Sequence, residues 1–331
     1  MFSSLLSPVD SLDYLPENNH FFNQIFEIDN PFEGFSGPGV ALISLGSIIC
    51  NPVRDALRNF YSHFKNIQLY DLGYLREIND ENIDKIISLC YKHNVVPVIT
   101  GFEISLDRIK NMDADDFIVS NHIRSGLTGC NYISHQRHLC KSEDIYIAEE
   151  TKYDTISLGK MRSNPNILEP TMRSVDLLYV DLQALRSSDA PNINFSYPTG
   201  LYAEEFCQIL KYAGAGCFIR GLFFQATLKS AACSQESILI AESIWYFAEG
   251  LNIRMNDHPE KSSDHTRFII HAPSVDEDLE FFKHNQTEKW WLKHPTFRND
   301  NQYLACSYEE YQASIGDELP SRVFKFINSV L

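Results

Sequence analysis

Three short stretches hold the side chains best placed to do chemistry: Thr100-Gly101-Phe102-Glu103, Glu149-Glu150-Thr151-Lys152-Tyr153-Asp154 and Asp181-Leu182-Gln183. Each follows a short apolar run. Clustered carboxylates supply anionic oxygen for a divalent metal, or a pair of groups for acid–base work. A lysine among Glu150, Asp154 and Asp181 changes that chemistry. Protonated, it has no lone pair for a metal, and the carboxylates around it keep it protonated.

These stretches share a site only if strands carry them to one side of a sheet. The runs Val40–Leu45, Val95–Thr100, Phe117–Val119, Ile145–Ile147, Leu177–Val180 and Phe268–Ile270 are apolar throughout, as suits parallel strands buried under helices. Helical patterns lie between them. In Tyr202 to Ala213, Phe206, Ile209, Leu210 and Ala213 form one face, and Gly214 is the expected left-handed stop. A second helix is expected from Gln235 to Glu249, with Gly250 beyond it. The alternation predicts a doubly wound α/β sheet, whose ligands bind at the carboxyl ends of the strands.

All 331 residues are read as one domain. Residues 1–36 form an irregular arm. Residues 256–331 supply a late strand, Arg267 to Ala272, and helices packed on the same core, with a capping box at Ser307 and Glu310. Trp290-Trp291 is read as packing that segment.

With 44% hydrophobic, 12% aromatic and 22% charged residues, the chain is globular, not disordered. A net charge of −16 repels phosphate backbones and anionic headgroups, which excludes nucleic acid and membrane as partners. The N-terminus lacks a basic start, and no window reaches the roughly 18 apolar residues of a membrane span. A cytoplasmic protein with eight reduced cysteines is expected. Cys130, His135, His138 and Cys140 fit no zinc spacing and are read as an ordinary segment. Asp257-His258 and Asp264-His265 resemble dyads, but adjacent residues rarely face each other and no nucleophile stands beside them.

In motif order and spacing the sequence resembles the ureohydrolases: arginase, agmatinase and formimidoylglutamase. That family places two manganese ions on strand-end motifs Gly-Gly-Asp-His, Asp-Ala-His-x-Asp and Asp-x-Asp, the last followed by Ala-Pro. Here Thr100–Glu103, Glu150–Asp154 and Asp181–Gln183 stand in that order, with Ala190-Pro191 after them. The likeness extends through Gly200–Glu205, Tyr212-Ala213-Gly214, Trp245–Phe247, Trp290-Trp291 and Ala305–Tyr308. It implies a three-layer αβα sandwich on a mostly parallel sheet of roughly eight strands.

Carried over residue by residue, the ligand positions fall on Glu103, Glu150, Lys152, Asp154, Asp181 and Gln183, of which Asp154 and Asp181 alone keep the family's residue. The glutamate that pairs with the substrate's amidinium falls on Phe224 or Gln225, neither of which forms a charged bidentate pair. The resemblance therefore implies a binding or scaffolding pseudoenzyme with no catalytic residue, metal or cofactor. Lys152 is expected within about 4 Å of Asp154 or Asp181, in the metal's place. Two alternatives stand: a divergent hydrolase of linear amidine C–N bonds with manganese on Glu103, Glu150, Asp154 and Asp181, or a sensor binding a small molecule in the former pocket. A protein partner or homo-oligomer is expected.

Overall fold

The computed structural model describes residues 5–7, 26–27, 35–45, 50–101, 115–125, 130–150, 154–194, 197–225, 235–295 and 303–328. In chain order the strands and helices are β1 (Leu6–Ser7), β2 (Phe26–Glu27), β3 (Gly39–Ser44), α1 (Cys50–Arg58), β4 (Gln68–Leu75), α2 (Asp80–Lys92), β5 (Val95–Thr100), β6 (Phe117–Val119), β7 (Asn131–His135), α3 (Ser142–Glu150), β8 (Thr155–Ser157), α4 (Leu158–Ser163), α5 (Leu168–Arg173), β9 (Leu177–Asp181), α6 (Ala203–Ala215), β10 (Gly221–Gln225) and α7 (Gln235–Asn252). Then follow β11 (His265–Ala272), β12 (Glu277–His284), β13 (Trp290–Lys293), β14 (Tyr303–Cys306), α8 (Tyr308–Ile315) and α9 (Ser321–Ile327).

The large sheet runs β1-β4-β3-β5-β10-β9-β6-β7-β8, with β2 also on β4. Every pairing in it is parallel except β1 with β4. Its strands are apolar on both faces because both are covered. Val40, Leu42, Val96, Val98, Leu178 and Val180 pack into one core with α1, α4, α5, α6 and α7. Their neighbours Ala41, Ile43, Val95, Ile99 and Tyr179 pack into a second core with α2 and α3. Alternation along each strand thus produces the three-layer αβα sandwich.

Ile145-Tyr146-Ile147, expected as a strand, lies in α3. Ile145 and Ala148 are buried while Tyr146 and Ile147 are exposed, a helical spacing that a three-residue window cannot show. Gly214 does not stop α6, which runs on to Ala215, and Gly250 lies inside α7. A Cβ on Gly214 would stand 2.2 Å from the Phe247 carbonyl oxygen, and one on Gly250 would stand 2.2 Å from that of Lys211. These glycines let two helix backbones touch.

The late strand is one of four. β11, β12, β13 and β14 form an antiparallel meander whose core, with α9, contains Leu279, Phe281, Trp290, Leu292, Cys306 and Val323. Trp290 stacks on Tyr311 of α8 at 4.2 Å. Arg173 of α5, 2% exposed at its side chain, reaches across to this unit. It donates to the carbonyls of Trp290 and Cys306 at 2.9 and 2.7 Å and lies over the Trp291 ring. Ser307 and Glu310 form the expected capping box of α8.

Neither adjacent pair is catalytic in geometry: Asp264 accepts from Asn285 and Gln286, and the His265 ring nitrogens face the Ser262 and Asp257 carbonyls. Asp257 is fully buried and pairs with Lys289 at 2.7 Å, while His258 meets Phe218, Trp291 and Tyr303 edge-on. Burial, helped by Lys261, pushes the His258 imidazole down to about 4. A histidine depressed in the fold stabilises it fully above about pH 6.5 and loses that contribution as pH falls towards 4. The melting temperature should therefore fall between pH 6.5 and 5, and His258→Phe should flatten the fall. An unchanged slope in that window would refute the assignment.

Candidate functional site

The order of the sheet decides which strand ends meet. β5, β10, β9 and β6 are consecutive neighbours, so their carboxyl ends form one rim. At the end of β5, Ser44 Oγ and Thr100 Oγ1 lie 3.3 Å apart. The chain then turns at Gly101, whose φ of +80° and close approach to the Leu45 carbonyl suit glycine. Glu103 and Lys152 lie outside the described residues.

Asp181 ends β9 and is 4% exposed at its side chain. Its Oδ1 accepts from the Gln183 backbone N–H at 3.0 Å, which sets the short 3-10 turn Leu182–Ala184. Beside it, β6 ends in Ser120-Asn121-His122-Ile123-Arg124. Asn121 Nδ2 donates to the Gln183 carbonyl at 2.9 Å, tying the two strand ends together, and Asn121 Oδ1 lies 2.7 Å from His122 Nδ1. Arg124 then folds back over the rim. Its Nη2 donates to Gln225 Oε1 at the end of β10, 2.8 Å away, and lies 3.6 Å from Asp181 Oδ2.

Electrostatics follow from this burial. Desolvation raises the Asp181 carboxyl above its ordinary value, against the Gln183 amide and the positive influence of Arg124 and His122. His122 is lowered, first by burial and then by Arg124, with Asp181 opposing. The rim is a buried carboxyl group held beside a guanidinium, with an imidazole at its side whose charged form burial disfavours.

The second carboxylate stretch is elsewhere. Glu150 is the exposed last residue of α3, and Asp154 enters β8 from its amino end. The backbone N–H of Tyr132 donates to Asp154, so Asp154 is level with Asn131, which pairs with Phe117, which pairs with Leu178. Asp181 lies three residues further along β9, so roughly 10 Å along the strands and roughly 14 Å across three spacings separate the two aspartates. Asp154 bonds instead to Arg322 Nε at 2.8 Å. The expected set of Glu150, Asp154 and Asp181 is therefore not one site. The strand end that does abut Asp181 is Ser120–Arg124.

Phe224 is also misplaced, since it is 1% exposed and packs against Phe206 in the core. Alternation along β10 turns the next residue, Gln225, to the rim. Cys130 and His135 bracket β7 roughly 16 Å apart along an extended chain, too far to share a metal. Among the described residues no three His, Cys, Asp or Glu side chains gather as metal ligands. Asp181 and His122 are donors of the right chemistry, but a guanidinium beside them has no lone pair. The described rim does not fit a two-metal centre.

A parallel sheet in this order under two helical layers, with a polar rim at its carboxyl ends, is the arginase-like ureohydrolase fold. Formimidoylglutamase from Bacillus subtilis matches with a TM-score of 0.58 at 17% identity, over 75% of this chain and 97% of that one. Trypanosoma cruzi formiminoglutamase with Mn2+ matches at 0.56 and 14%, over 68% and 96%. Agmatine ureohydrolase of Thermoplasma volcanium matches at 0.51 and 16%, over 66% and 91%. No family profile matches the sequence, and no curated protein is similar to it. Among the described residues no helix is long and apolar enough to cross a membrane.

Proposed function

We propose that this chain is a non-catalytic ureohydrolase homologue that works by binding, through a protein partner or copies of itself. The observation that supports this is the guanidinium of Arg124 between Asp181 and Gln225. The Mn2+-bearing neighbour shares the fold, and manganese prefers clustered carboxylate and imidazole donors. Here Gln183 and Gln225 are uncharged, and the cation at the rim is a side chain. Two bound ions bring four positive charges, and Asp181, as the carboxylate of the described rim, does not offset them.

The test is metal analysis of purified full-length protein after incubation with manganese, with assays for urea and formamide from arginine, agmatine and formiminoglutamate. Metal well below one equivalent and no product are expected. Near-stoichiometric manganese with product release, both lost in Asp181→Asn, would overturn the proposal.

A further inference from the structure

Lys211 of α6 and Glu249 of α7 pair across the two helices at 2.9 Å. Seven residues earlier, two turns back on each helix, the same register brings Glu204 to Glu242. A second carboxylate thus stands where the lysine of the later pair stands. Both glutamates are exposed, and neither has an ion pair or hydrogen bond among the described residues. Arg186 feels the charge of Glu204 but is bound to Asp189 at 2.8 Å. Burial, then Glu204, raises Glu242 above its ordinary value.

The two glutamates line a cavity of about 550 Å3 between α6, α7 and the segment after α1, a volume suited to a small ligand. Its other walls are aromatic: Phe60 and Tyr61 from that segment, Trp245 and Tyr246 from α7. They are fixed in place. Trp245 Nε1 donates to the Tyr61 carbonyl at 2.8 Å, and its ring lies 5.3 Å from Phe64 and edge-on to Tyr246 at 5.4 Å. Further along, Asn252 Oδ1 accepts from the backbone N–H groups of Lys65 and Asn66 at 2.9 and 3.0 Å, which ties the segment to the end of α7. Cys207, 5% exposed, also lines the cavity, and its thiol has no hydrogen-bond partner among the described residues. Burial, then Glu242 and Glu204, push that thiol up to about 12, so both carboxylates act on the same point. Among the described residues no lysine or arginine lines the cavity.

We infer that this cavity binds a small organic ammonium ion, its charge between Glu204 and Glu242 and its alkyl groups against the rings of Trp245 and Tyr246. Aromatic rings and carboxylates attract the same kind of ligand, a cation with an apolar surface. A neutral ligand leaves the two carboxylates repelling each other, and an inorganic cation leaves the aromatic walls unused. No residue of the strand-end rim lines the cavity, so the inference stands whether or not the rim binds metal.

The full chain is titrated at constant ionic strength with choline chloride and with 1,4-diaminobutane dihydrochloride, by calorimetry and by tryptophan fluorescence. The neutral isostere of choline, 3,3-dimethyl-1-butanol, is the control. Trp245 is one of three tryptophans, and the other two are buried in the meander. Native protein is expected to bind one equivalent of an ammonium ion more tightly than about 1 mM, with a fluorescence change that Trp245→Phe removes. Glu204→Gln/Glu242→Gln should bind at least about tenfold more weakly, and Glu249→Gln, two turns away, as native protein does. No saturable binding of either ammonium ion overturns the inference, as does equal binding of the alcohol or undiminished binding by the double variant. Without ligand, Glu242→Gln should melt no lower than native protein, because it relieves a repulsion. A melting temperature several degrees lower would show that Glu242 serves the fold instead, and would overturn the inference as well.

Discussion

Asp154→Ala is expected to lower the unfolding free energy by about 3 kcal/mol, the lower end of what breaking a buried ion pair costs. Arg322 of α9 is 4% exposed at its side chain and Asp154 18%. The guanidinium donates to Asp154 Oδ2 through Nε at 2.8 Å and to both Glu310 oxygens through Nη1 at 3.1 and 3.2 Å. Burial works against the Arg322 charge, but Asp154 and Glu310 outweigh it and hold the group above its ordinary range. Glu310 also caps α8 through the Ser307 amide, so it cannot swing to cover the loss. The remaining Glu310 contact keeps the cost near the lower end. Asp181→Asn, by contrast, should cost under about 1 kcal/mol, since an asparagine oxygen still accepts from Gln183 and Arg124 keeps some water. Urea midpoints of the two variants separate a structural aspartate from a rim aspartate. Equal losses would show that Asp154 does not anchor the C-terminal unit.

That contrast marks where the sequence was legible. β3, β5 and β9 were readable because burial on both faces leaves uninterrupted apolar runs, and their rim ends Thr100 and Asp181 followed from them. β8 was not, because three residues, Thr155–Ser157, carry no pattern. The strand-like run in α3 then moved the expected second motif onto Glu150–Asp154. The rim segment after β6 is inconspicuous because Ser120-Asn121-His122-Ile123-Arg124 contains no carboxylate. Its signal in the sequence is His122, three residues beyond the apolar run Phe117–Val119. The cation expected beside Asp181, Lys152, lies outside the described residues; the described cation there is Arg124, reached through a strand order that hydropathy does not reveal. The meander of residues 265–306 was hidden for another reason. β11 was legible as the late strand from Phe268–Ile270, but in β12 Glu277, Asp278, Glu280 and Lys283 break the profile of a buried strand.

Asp71→Ala should be the most damaging single substitution outside the apolar cores, at about 3–5 kcal/mol. Arg54 of α1 and Asp71 of β4 are 1% and 5% exposed at their side chains. Nε and Nη2 donate to the two carboxylate oxygens at 2.8 and 3.0 Å, a fork-on-fork pair that lysine cannot reproduce. The same pair sets the backbone beyond it: Arg54 Nη2 donates to the Gly73 carbonyl at 3.0 Å, and the Gly73 N–H donates to Asp71 Oδ1 at 2.9 Å. Gly73 sits at φ +74°, in the stretch where β3 and β4 shift register between Leu42 and Ser44. Removing the carboxylate therefore strands a buried guanidinium and a buried amide together, at the joint between α1 and the sheet. Arg54→Met/Asp71→Leu should recover most of the loss, because burying two charges takes back much of what their attraction gives, while an apolar pair fills the same volume. Urea unfolding of the two single variants and the double variant is the check. A double variant as unstable as the sum of its singles would mean that packing at this joint, not the charge pair, is what the two residues provide.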